Sequence, residues 1–204
     1  ASLPRLPSPL TARMEQSVSQ FTGSAVRYTL DVENVNALIQ ALGGEKLLPQ
    51  ELDGESFLFT YPGGYHVEWF EREEDQNGNV TFHAGYQLEV RGLPSVETSA
   101  GLEIDAIQEA LASLPFLSPE VKQQLRDIRR FTNTMLMPEL LEKGEEKVTI
   151  NGHPALYRNY GGKDTDIHEL LWIADQQLIR FSAYDIPKDR FFEAAQNIQW
   201  PENG

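Results

Sequence analysis

The sequence predicts an α+β fold in which antiparallel sheet, built from two βββ(β)α blocks, carries its helices on one side. Three observations predict it. Two stretches alternate apolar and polar residues with period two, and each is followed by residues spaced at helical period. Gly-Gly, Pro-Gly and Asn-Gly pairs punctuate the strands as turns. With 204 residues, 40% of them hydrophobic and 10% aromatic, the chain is long enough to bury a real core.

The opening ASLPRLPSPL holds three prolines. Proline fixes φ and lacks the donor N–H, so residues 1–10 read as an extended linker, fit to tether the domain to an upstream anchor. Thr11 to Gln20 is polar and reads as a short helix. VRYTLDV, Val26 to Val32, alternates as a half-buried strand. In the next segment Val35, Leu38, Ile39 and Leu42 share one helical face, and Gly43-Gly44 supplies the stop.

SFLFTY then runs into the turn Pro62-Gly63-Gly64. YHVEWFE and TFHAGYQLEV alternate on either side of a polar loop centred on Asn77-Gly78. Tyr65, Val67 and Trp69 share one face, as do Phe82, Ala84, Tyr86, Leu88 and Val90. These faces go inward, which leaves His66, Glu68, His83, Gln87 and Glu89 on the wetter side. Two helices follow. One has the stripe Ile104, Ile107, Leu111, Leu114. The other opens at Ser118-Pro119, buries Val121, Leu125 and Ile128, and ends among Arg126, Arg129 and Arg130, where the helix dipole favours cations.

The last block is the most regular. Asn151-Gly152 joins two strands as a type I′ turn, and HELLWIA and QLIRFSAY form a second hairpin across Asp175-Gln176. Pro187 opens a helix that turns Phe191, Phe192, Ala195 and Ile198 to the sheet. The two blocks can be aligned so that Gly54 meets Gly152, Leu58 meets Leu156, Phe59 meets Tyr157, Tyr61 meets Tyr160 and Trp69 meets Trp172, which raises an internal duplication. The domain reading is a linker over 1–10, a strand and helix block over 11–130 and a ββββα block over 131–204, both packed as one globular unit.

Charge and composition narrow the chemistry. Against 31 acidic residues stand 17 basic ones, for a formal charge of -14. Such a surface repels phosphate backbones and anionic headgroups, so nucleic-acid and membrane-surface binding are excluded, while basic partners are not. No run of apolar residues is long enough to span a bilayer. Without cysteine there is no disulfide, thiolate nucleophile or cysteine zinc site. His66, Glu68 and His83 could converge on an exposed hairpin face as metal ligands, but alternating surface His and Glu produce the same pattern. His168-Glu169 resembles the start of HExxH, yet Trp172 takes the second histidine's place and the segment reads as a strand. In DQNGNVT from Asp75 the glycine is misplaced for a calcium loop and Tyr86 stands where the bidentate glutamate belongs, so it reads as a polar hairpin loop. No nucleophile elbow, dinucleotide fingerprint or P-loop occurs, and Gly63-Gly64 and Gly161-Gly162 are turn pairs. No catalytic, cofactor-binding or metal residue is assigned. Trp69, Trp172, Trp200, Tyr157 and Phe181 either line a groove or fill a core, and Trp172 is expected in the core.

Three stretches taken together resemble a known class. VENVNALIQALGGEKLLPQELDGESFLFTYP, the helix pair from Ile104 to Pro138, and the ending from Val148 to Gln199 are similar to exported bacterial domains found with anti-sigma factors and at extracytoplasmic-function sigma factor loci. Its shared marks here are structural: Gly152, Trp172 and the helix from Pro187. The resemblance implies an extracytoplasmic, secreted or membrane-tethered protein and carries no catalytic or binding residue. The expected function is a non-enzymatic sensing or protein-interaction domain linked to envelope-stress signalling. A carrier of a lipid or other hydrophobic ligand is the alternative, and a hydrolase with a carboxylate site the third reading.

Overall fold

The computed structural model describes residues 3–41, 47–98, 131–132, 135–136, 144–162 and 165–201. The expected helix pair between Ile104 and Arg130, with the Gly43-Gly44 stop, lies outside them, as does the side chain of Ala84. Contacts divide the chain along other lines than two sequential blocks. One unit comprises 1–22, 63–92 and 138–204, and the other 23–62 with 93–137.

The first unit is built on seven strands: β1 (Met14–Phe21), β4 (Gly64–Glu74), β5 (Val80–Gly92), β9 (Glu145–Ile150), β10 (His153–Asn159), β11 (Ile167–Ala174) and β12 (Gln177–Tyr184). They form one antiparallel sheet in the order β1-β4-β5-β12-β11-β10-β9. The β4–β5 and β11–β12 hairpins meet through their second strands, with Leu88 opposite Phe181 and Val90 opposite Ile179. Asn151 and Gly152 both take positive φ, 49° and 83°, as the type I′ reading of the β9–β10 turn requires. Asp175 and Gln176, at 49° and 59°, make the second such turn without glycine.

One sheet face holds the core. Val67, Trp69, Tyr86, Leu88, Val90, Tyr157, Leu170, Trp172, Ile179 and Phe181 are buried there. A helix over Lys188–Gln196 lays Phe191, Ala194 and Ala195 on it, the face expected from the sequence. Its grip is aromatic: Phe191 stacks on Phe181 at 5.3 Å and on His168 at 5.4 Å, and Phe192 tilts against Tyr157 at 5.1 Å.

Two expectations for this unit are corrected. Thr11 to Gln20 is not a helix. A four-residue turn of helix, α1 (Ser8–Thr11), precedes strand β1, whose whole length pairs with β4. The segment has no apolar stripe to bury as a helix, so the ladder to a distant strand decides its form. Nor does the proline-rich opening run free. Leu6 and Leu10 are buried in the core, and Arg5 and Gln199 exchange backbone hydrogen bonds of 2.9 and 2.8 Å.

The second unit contains β2 (Ser24–Thr29), β3 (Ser56–Tyr61) and β6 (Ser95–Thr98) in the antiparallel order β2-β3-β6, and the short pair β7 (Phe131–Thr132) and β8 (Met135–Leu136). The helix α2 (Val32–Ala41) buries Val32 and Ile39, while Leu38 is exposed, against expectation. Its first turn is capped twice: Asn34 N–H donates to Asp31 Oδ1 at 3.0 Å, and Val32 N–H to Asp53 Oδ1 at 2.9 Å. The closing helix, α3, spans Lys188–Gln196. The proposed block equivalence breaks at its first arm, because β3 pairs with β2 and β6 while β10 pairs with β9 and β11.

Candidate ligand groove

A β-bulge decides where the first candidate site residues fall. Trp69 opposes Tyr86 and Phe70 opposes Gly85, but Glu71 then opposes His83. One residue of β5 is thereby skipped and its alternation reverses. Gly85 makes this possible, since a Cβ there would sit 2.2 Å from the Trp69 carbonyl oxygen. Phe82, expected inside, is therefore 63% exposed and meets Phe70 edge-on at 5.3 Å. His83 moves off the face of His66 and Glu68 and hydrogen-bonds Glu73 at 2.9 Å. The His66, Glu68, His83 convergence does not form, and among the described residues no group of three or more His, Asp or Glu is placed to hold a metal ion.

The other candidates resolve individually. Asp75 closes its own loop: its carboxylate accepts from the Asn77 and Asn79 N–H groups at 2.8 Å each and from Asn79 Nδ2 at 2.7 Å. These bonds, led by those from Asn79, hold its pKa below the usual carboxylate value. His168 is 1% exposed, beneath α3. Its Nδ1 lies 2.8 Å from the Tyr157 hydroxyl, while Nε2 lies by the Ile186 backbone without a hydrogen bond of good geometry. Burial pushes its pKa down, partly offset by Asp166. Glu169 lies on the opposite sheet face, where Arg158 donates to Glu169 at 2.9 Å and to Glu145 at 2.7 Å. These carboxylates serve as counterions to a buried guanidinium.

On the core face beyond the reach of α3, strand ends from both hairpins and both chain ends bound a groove of about 810 Å³. That lies within the roughly 300–1,000 Å³ usual for small-molecule sites. Val18, Tyr65, Trp172 and Ile179 come from the sheet, and Leu3 and Trp200 from the terminal segments. The Arg5–Gln199 bridge fixes those segments to each other, close to the two residues they contribute. Trp172 is 3% exposed and forms a wall; Trp200 is 38% exposed. Gln20, Asn151, His153, Asp175 and Gln177 supply the polar lining, with Asn151 Nδ2 also donating to the Gln196 carbonyl at 3.0 Å. Of the aromatics weighed in the sequence, Trp172 and Trp200 line this groove, while Trp69, Tyr157 and Phe181 belong to the core. Sequence reasoning missed Tyr65, His153, Asp175 and Gln177 as groove residues, for they are hairpin residues whose convergence depends on strand order. Compared with protein-family models, with curated proteins and with solved structures, the chain finds no match.

Proposed function

We propose that this protein is a non-enzymatic extracytoplasmic binding domain that takes a small ligand in the groove between Trp172 and Trp200. The observation that carries the reading is the groove itself, where an exposed indole, a tyrosine and several hydrogen-bonding side chains converge on one cavity. In this reading binding is reported to a protein partner, and the resemblance to anti-sigma-associated exported domains supports envelope-stress signalling as the setting. Carriage of a lipid or other hydrophobic ligand is a second reading, favoured by Leu3, Val18, Tyr65 and Ile179 along the apolar lining.

The test is a fragment screen by NMR, with alkyl, aromatic and sugar probes. Amide shifts should cluster at His153, Gln177 and the indole of Trp200. Shifts confined to other surfaces, or none with any probe, would overturn the reading.

A further inference from the structure

The lining of the groove restricts what enters it, on the reading that it is a ligand site. Among the described residues that line it, Asp175 is the one acidic side chain and there is neither Lys nor Arg. A fatty acid, phospholipid headgroup or nucleotide would bring an anion to a protein of formal charge -14, with no Lys or Arg among the described lining residues to receive it. A bare alkyl chain fits poorly too. It would leave the amides of Gln20, Asn151 and Gln177, the His153 ring and the Asp175 carboxylate facing apolar surface, and polar groups stripped of water without a new partner cost binding energy. What matches both halves of the lining is a molecule with apolar C–H patches for the Trp200 and Tyr65 rings and many hydroxyls for the polar side. Amides both donate and accept, and a carboxylate accepts, so each can answer a hydroxyl. We propose that the groove binds a neutral, polyhydroxylated ligand of oligosaccharide size, stacked on Trp200 and held at its hydroxyls by Gln177, Asp175 and His153.

The probes are cellobiose and N,N′-diacetylchitobiose, with decanol as alkyl control and choline as cationic control, each followed by tryptophan fluorescence and amide shifts. At least one disaccharide should bind saturably, with shifts centred on the groove and no loss of affinity as salt is raised. Trp200→Ala, at a partly exposed position, should weaken it about tenfold, the worth of one ring contact. Gln177→Ala should also weaken it, and Phe82→Ser, outside the groove, should not. If decanol or choline binds in the groove and neither disaccharide does, the saccharide inference falls and the binding-domain reading stands. Silence from every probe overturns both.

Discussion

The same sheet face ends in two ways. Under α3, Phe191 stacks between Phe181 and His168, and no gap separates helix from sheet at these rings. Beyond α3, Trp172 and Ile179 line a groove to which the terminal segments contribute Leu3, Trp200 and Pro201. The difference is one of lengths. The nine residues of α3 reach about 14 Å, whereas seven strands spread over about 29 Å. One short helix cannot cover such a sheet, and the two chain termini cover another part with irregular backbone. The terminal segments pack Leu6, Leu10 and Ile198 into the core, and the open space lies beside Leu3 and Trp200.

The largest test of this contrast is Phe191→Ala, expected to cost about 3–5 kcal/mol by opening a cavity between stacked rings. Trp172→Ala should cost a similar amount, since the groove wall is also core. Trp200→Ala should cost under about 1 kcal/mol, the range of surface changes. Urea unfolding of the three variants decides it, and a large loss at Trp200 would make that ring structural instead of available to a ligand.

A smaller effect separates the halves by pH. His168 is held neutral by burial in the packed half, with Lys188 opposing its protonation and Asp166 favouring it. Its folded pKa lies below the unfolded value, so the unfolded chain binds more protons in the window between them. Stability is then full above the unfolded pKa and falls as pH drops through it towards the folded one. Between about pH 7 and pH 5 the wild type should lose urea stability faster than His168→Gln. Equal slopes would mean that the packed half tolerates the charge.

The smallest effect lies at the groove rim. Gln176 holds φ 59° without a glycine's freedom. Gln176→Gly should raise stability by about 1 kcal/mol, the cost of the left-handed conformation for a side chain, and leave ligand affinity unchanged. A fall in melting temperature would show that the Gln176 side chain holds the turn.

Much of the packed half was legible in the sequence. Strands β9 to β12, the type I′ turn at Asn151-Gly152 and the inward face of α3 follow from period-two alternation, turn residues and a helical stripe, all signals carried by neighbours along the chain; the conformation of the Asp175-Gln176 turn, which lacks glycine, does not. Phe82 was misplaced because a single bulge reverses every side chain beyond it, and its only local sign was the small residue Gly85 in an alternating run. β1 was misread because a polar edge strand owes its form to the partner it pairs with.

The sequence by itself therefore determined the antiparallel α+β character, the hairpins of the last block and which face of the closing helix is buried. These depend on periods of two and of 3.6 residues, which each segment carries alone. The tertiary structure decided the strand order, the bulge and the groove. These depend on pairings between residues far apart in sequence, such as Arg5 with Gln199 or Leu88 with Phe181, and no local period encodes a meeting at such separations.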